Sequence, residues 1–320
     1  MNTKYSIAII GAGLISSEFD KPGQEKFLTH CHSICNNVNL NPIGIFDINS
    51  KKVNDASEKW NIKPFFNLEA LLNKNPEIIL IAVPDEFHFE YLNKVIKYKP
   101  KIVVCEKPLT NSISLSKKII KKYSEKGIDL AVCYQRRYDE DFIKIKKDFF
   151  NNSLGNFLSG SVIYSKGIMH NGSHAVDILR FIFGEVNGIK SFSERFDYNK
   201  NDPTISAMIS FDDGNIHLIS GDERFHSLFE IDLIFETKRF RITDSGNYIE
   251  IFEVGSDPVY VGYSSLNKKE SRVSTLGFAL KNMWSSVVKH LLGKEKLSTL
   301  AEDSLKTQDV CDKIKNLINL

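Results

Sequence analysis

Two short apolar runs constrain this chain more than any other feature. They are Ile78-Ile79-Leu80-Ile81-Ala82-Val83-Pro84 and Ile102-Val103-Val104-Cys105-Glu106-Lys107-Pro108-Leu109. Neither alternates apolar with polar residues, so neither suits a strand with one wet face. Both suit strands of a parallel sheet covered on both faces. Proline cannot extend the hydrogen-bonded ladder, and it biases the residue before it towards extended backbone. The second run therefore presents Lys107 just past a strand's carboxyl end, where ligands of open α/β sheets bind. A lysine there can hold a hydroxyl or carbonyl oxygen, or join a proton transfer if burial lowers its pKa. Alone, it reads equally well as an ordinary surface lysine.

The N-terminus tips that balance. Tyr5 to Ile10 reads as a strand, and Gly11-Ala12-Gly13-Leu14-Ile15-Ser16 follows it as a dinucleotide turn with Ser16 at the third glycine position. Gly11 permits the tight turn and Gly13 lets a pyrophosphate approach the backbone; Leu14 and Ile15 complete the cradle. Residues 17–23 break any helix begun at the glycines. A helix is expected to resume near Gln24 and run to about Asn36, followed by a loop over 39–42 and a strand over 43–46. Asp47 ends that strand, where an acid binds the ribose of NAD. It lies 34 residues after Gly13, beyond the usual spacing of about 20. The excess is assigned to an insert around Phe19 to Gly23, placed to cover the cofactor or the substrate mouth. NAD is the expected cofactor; Lys51 and Lys52 leave NADP open. His30-Cys31-His32-Cys35 reads as a helix with one buried face rather than a metal site, because no second ligand pair has zinc spacing.

Strands and helices then alternate. Helices are expected over 52–60, from Leu68 to Asn73, from His88 to Val95 and up to Ser124, with a strand over 129–134. That rhythm is the signature of a doubly wound parallel sheet. After Gln135-Arg136-Arg137-Tyr138 it changes. A helix over 141–151 and a strand over 158–164 lead to His170-Asn171-Gly172-Ser173-His174-Ala175-Val176-Asp177. If helical from Ser173, this stretch places His170 and His174 where both could face one cleft, and a histidine can take or give a proton during alcohol oxidation. Strands dominate next, over 190–196, 204–211, 216–221, 228–235, 239–243 and 248–253, with a hairpin turn at Asp212-Asp213-Gly214-Asn215. Helices over 277–292 and 298–317 end the chain. Leu276, Leu280, Trp284, Val287 and Leu291 form a core stripe in the first of these. The expected fold class is α/β: a Rossmann domain over 1–135, then an α+β domain over 136–320 with a large open, mostly antiparallel sheet. The C-terminal helices are expected to pack back on the first domain.

The 42 basic and 40 acidic residues nearly cancel to +2, so neither nucleic acid nor an acidic membrane is the expected partner. No signal peptide or spanning run is read, and the five scattered cysteines suit a reducing cytoplasm.

The glycine turn, Val83-Pro84 with His88, Glu106-Lys107-Pro108-Leu109, Arg136-Arg137-Tyr138 and Gly172-Ser173-His174 through Asp177 occur together, in this order. In these motifs the chain resembles the glucose–fructose oxidoreductase and inositol 2-dehydrogenase family, often written Gfo/Idh/MocA. The resemblance implies an NAD(P)-dependent oxidoreductase acting on sugars, sugar nucleotides or cyclitols, and a homo-oligomer. It implies that Lys107 hydrogen-bonds the reacting oxygen and that His174 is the acid/base. Pro84, His88 and Glu106 would add to the cofactor site; Arg136, Arg137 and Asn171 would join Lys107 at the substrate. Arg136, Arg137 and Arg180 could contact a phosphate or carboxylate, or could equally pair with a local acid. Four residues before His174 the family usually has aspartate, whereas this chain has His170. Two other readings keep the cofactor: a redox-neutral elimination or glycoside cleavage through transient oxidation, and a sensor or assembly protein whose site has decayed.

Overall fold

The computed structural model describes residues 4–319, which form two compact units: residues up to 138 with Gly277–Lys306, and Asp139–Leu276 with the residues from Thr307. The first unit runs β1 (Tyr5–Ile10), α1 (His30–Cys35), β2 (Leu40–Phe46), α2 (Ser50–Trp60), β3 (Pro64–Phe65), α3 (Leu68–Leu72), β4 (Ile78–Ile81), α4 (His88–Val95), β5 (Ile102–Cys105), α5 (Ile113–Glu125) and β6 (Asp129–Val132). The six strands are parallel, in the order β3-β2-β1-β4-β5-β6. This is the doubly wound order, whose direction of winding reverses between β1 and β4.

Side chains alternate across a strand, and here both faces are apolar. Ile7, Ile9, Ile78, Leu80, Ile102 and Val104 enter one core layer; Ala8, Ile10, Ile79, Ile81, Val103 and Cys105 enter the other. That is why β4 and β5 read as unbroken apolar runs.

The second unit contains α6 (Glu140–Phe150), β7 (Phe157–Tyr164), α7 (Ser173–Phe183), β8 (Gly188–Asn199), β9 (Asp202–Phe211), β10 (Gly214–Ser220), β11 (Phe229–Phe235), β12 (Lys238–Thr243), β13 (Tyr248–Ser256) and β14 (Ser264–Val273). Its eight strands lie in the order β14-β13-β12-β11-β7-β10-β9-β8. Only β7 and β10 pair in parallel. One face buries Val162, Ile205, Ile209, Leu218, Ile231 and Leu233 beneath α6 and α7. The chain closes with α8 (Ala279–Leu291) and α9 (Ala301–Asn316). The buried residues of α8 belong to the first unit's core, whereas Val310, Cys311 and Ile314 of α9 belong to the second's. No described helix is long and apolar enough to cross a membrane.

Three elements differ from expectation. The helix after the insert begins at His30, not near Gln24, because Thr29 caps it and Asp20 captures the chain just before it. The Asp20 carboxylate accepts from the Leu28 and Thr29 amides, from Thr29 Oγ1 at 2.5 Å and from His32 Nδ1 at 2.8 Å. β2 starts at Leu40 and runs through Pro42, with the register against β1 shifting between Ile7 and Ala8. β14 was not expected at all: Ser-Ser-Leu-Asn-Lys-Lys-Glu has no apolar alternation, and only pairing with β13 makes it a strand.

Asp20 is buried and holds four donors. Asp20→Ala strands them, so it is expected to cost about 3 kcal/mol of stability, read as a lowered urea midpoint at unchanged slope.

Candidate active site

Every turn that sequence reasoning singled out in the first unit lies at the carboxyl end of a strand. Gly11 follows β1, Asp47 follows β2, Val83-Pro84 follows β4, and Glu106-Lys107 follows β5. Gly11 adopts φ +103° and donates to Phe46 O at 2.7 Å. A Cβ there would lie 2.3 Å from Ala82 O, so only glycine lets the turn nest against the end of β4. Gly13 has ordinary extended backbone, and a Cβ there would meet only Lys52 Nζ, at 3.9 Å. Its requirement is open backbone, with a cation alongside.

Instead of an α-helix, one wide turn over Leu14–Glu18 follows the glycines. Ser16 replaces the third glycine without loss, because its Oγ donates to Gly11 O at 2.6 Å; Ser17 Oγ donates to Ala12 O at 3.0 Å. Leu14 is exposed and Ile15 packs partly on the core. Asp47 braces the cradle: Oδ2 accepts from the Ala12 amide and Oδ1 from the Asn49 amide, both at 2.8 Å. Lys52 pairs with Glu18 at 3.1 Å, both half-exposed.

Lys107 is half-buried, and the peptide bond to Pro108 is cis. His88 is buried; its Nδ1 lies 2.7 Å from Pro108 O and its Nε2 2.9 Å from Val83 O. The ring thus brackets the ends of β4 and β5, and a dinucleotide would meet the backbone that His88 holds rather than the imidazole. Glu106 also faces inward: Oε1 is 2.8 Å from His30 Nε2 and Oε2 accepts from the Lys107 amide at 3.2 Å. Burial pushes its carboxyl up, but the hydrogen bond from His30, the Cys133 thiol and the Lys107 ammonium outweigh this and hold it below its usual range. His30, Glu106 and Cys133 each bring one possible ligand atom within 4.8 Å of the others.

Two arginines pair with local acids. Arg137 is buried and pairs with Asp303 at 2.5 Å and with Ser298 O at 2.8 Å, so its fork is taken up inside the first unit. Arg180 is likewise buried, clamped on Glu185 at 3.0 Å and on Thr307 Oγ1 at 2.7 Å. Arg136 remains half-buried.

In the second unit a wide turn over Gly167–Gly172 feeds directly into α7, so His170 and His174 sit on consecutive turns. Gly172 packs on the Tyr164 ring, which leaves no room for a Cβ. Asp202 holds this turn by accepting from the Met169 and His170 amides, both at 2.9 Å. The His170 ring tilts against Tyr198, with centroids 5.2 Å apart. The Asn171 amide nitrogen donates to Ser165 O and Leu228 O, which makes it a loop tie rather than a substrate donor. Asp202 and Tyr198 gave no signal in the sequence, since their roles come from strands 30 residues away.

The six-stranded sheet with its glycine turn has the doubly wound order of nucleotide-binding domains. Residues 5–134 match the Gfo/Idh/MocA oxidoreductase family with an NAD-binding Rossmann fold. An inositol 2-dehydrogenase of Mycolicibacterium gilvum is 28% identical over 134 residues, 37% of each chain. A glucose-6-phosphate 3-dehydrogenase of Bacillus subtilis is 27% identical over 264 residues, 82% of this chain and 65% of that one. The chain spans 26–38% of the length of the first four curated relatives it matches. The solved structure of an oxidoreductase from Desulfitobacterium hafniense covers 99% of this chain and 96% of its own, with TM-score 0.80 and 16% identity. The two-unit architecture is therefore that of this fold.

Gly11→Ala is expected to destabilise the first unit by about 2–4 kcal/mol and to abolish NADH binding, read by calorimetric titration of the folded fraction.

Proposed function

We propose that this protein is an NAD(P)-dependent dehydrogenase or reductase acting on a hydroxyl or carbonyl carbon of a sugar, sugar nucleotide or cyclitol. The observation that carries the reading is the set of strand ends. The glycine turn, Val83-Pro84 and the half-buried Lys107 stand at the carboxyl ends of β1, β4 and β5, three adjacent strands of one parallel sheet. The open backbone at Gly13, the Ala12–Asp47 brace and the Lys52 ammonium suit a dinucleotide. Asp47 favours NAD, and Lys52 keeps a 2′-phosphate acceptable. When bound, that cofactor supplies the hydride acceptor or donor.

This chain's own residues would manage the oxygen and its proton. Lys107 donates to the reacting oxygen and steadies negative charge as it develops there. His174 takes the hydroxyl proton during oxidation and returns it during reduction. His170 stands where the family resemblance implies an aspartate, on a turn whose amides Asp202 already holds; we assign it to orienting substrate or passing that proton to solvent. A cyclitol or hexose phosphate is the substrate class that the matched relatives support, with Arg136 as the residue for an anionic group. We also place the protein in the cytoplasm as a homo-oligomer.

Separate fluorescence titrations with NADH and NADPH, followed by turnover assays on inositols, hexose phosphates and nucleotide sugars, test the reading. Binding with turnover supports it. Binding without turnover on any of these leaves the sensor reading, and binding of neither cofactor overturns both. Lys107→Met is expected to lower kcat by about 10³-fold while changing cofactor affinity less than about threefold.

A further inference from the structure

We infer that His30 and Trp284 are positioning residues for Lys107, acting through the Glu106 carboxylate. The inference rests on the oxidoreductase reading above and extends it to residues which that reading does not use.

The geometry settles the hydrogen positions. An indole N–H can only donate, and Trp284 Nε1 lies 3.1 Å from His30 Nδ1. Nδ1 must therefore accept, which puts the ring proton on Nε2, 2.8 Å from Glu106 Oε1. Trp284, His30 and Glu106 form one directed chain of donors, and all three belong to the first unit. Its members are shielded from water: the Trp284 and His30 side chains are fully buried and that of Glu106 is 12% exposed. A neutral imidazole locked with its proton on Nε2 offers no lone pair to a metal there, so the cluster with Cys133 reads as an anion clamp rather than a metal site.

Glu106 immediately precedes Lys107, and its second oxygen accepts the Lys107 amide. The carboxylate therefore fixes the backbone of the turn and places a negative charge beside the ammonium. Without the His30 donor the desolvation of Glu106 goes unanswered. Its carboxyl then takes up a proton at higher pH than in the native protein. The turn then loses its anion, and the Lys107 amide is left with the weaker acceptor of a neutral carboxyl.

The test compares wild type, His30→Ala, His30→Gln and Trp284→Phe. His30→Gln restores an N–H donor near Nε2, and Trp284→Phe keeps an aromatic ring while removing only the N–H. The first readout needs no turnover: the carboxyl-carbon NMR signal of Glu106, assigned by its loss in Glu106→Gln, is titrated with pH. Its midpoint is expected to rise in His30→Ala and, by less, in Trp284→Phe, and to return towards wild type in His30→Gln. The second readout is kcat against pH with a substrate found above. The acid limb is expected to move to higher pH in step with the midpoint, and kcat near neutrality to fall about 10- to 100-fold with NADH affinity retained by calorimetry. An unmoved Glu106 midpoint in folded Trp284→Phe and His30→Ala overturns the inference, whatever happens to turnover. A moved midpoint with wild-type kcat and acid limb also overturns it, because the charge would then not act on Lys107. If wild type turns nothing over, the oxidoreductase reading and the positioning role fall together, and the titration separately decides whether the clamp exists.

Discussion

A carboxylate can leave water only if other groups replace its hydration. Glu106 is in that position, and much of the first unit's arrangement follows from how its need is met. His30 reaches it from α1, Cys133 from the end of β6, and Trp284 steadies His30 from a helix 254 residues further along the chain. These contacts tie the strand carrying Lys107 to the helix after the glycine turn. The two halves of the proposed cofactor cradle are thereby joined through one buried anion. Breaking a buried pair on one side is far costlier than its net contribution to stability suggests.

The same economy governs the strand ends. The glycine turn approaches Ala82 O so closely that β1 and β4 can sit side by side only with Gly11 at the bend. His88 then bridges the backbone after β4 to the backbone after β5. Each device holds main chain, which leaves the remaining amides and the Lys107 side chain for the proposed site. The insert obeys the same rule. Asp20 is buried and anchors the residues before α1, so at least this part of the insert is structural rather than a loose cover.

Strand ends were legible in this chain wherever the local pattern fixes the backbone. The turns at Gly11, Val83-Pro84 and Lys107 could be placed because apolar runs and prolines mark strand ends, and ligand sites follow strand ends. Side-chain destinations were not legible. Arg137, Arg180, Asn171 and His88 all look like contacts for a bound molecule, yet each is satisfied within its own unit. A polar side chain near a turn has many candidate partners, and only the folded neighbourhood chooses among them.

By itself, the sequence determined the parallel sheet, the two-part organisation and the position of the nucleotide turn. These follow from local patterns: apolar runs of strand length, alternation, glycine at a bend and proline at an end. Tertiary structure alone decided that β14 is a strand, that α1 begins at Thr29's cap, and that Trp284, which reads as core from its helical stripe, also aims its N–H at His30. Such outcomes depend on partners tens to hundreds of residues away. Hydrogen bonds between them last only when the surrounding core has already excluded water.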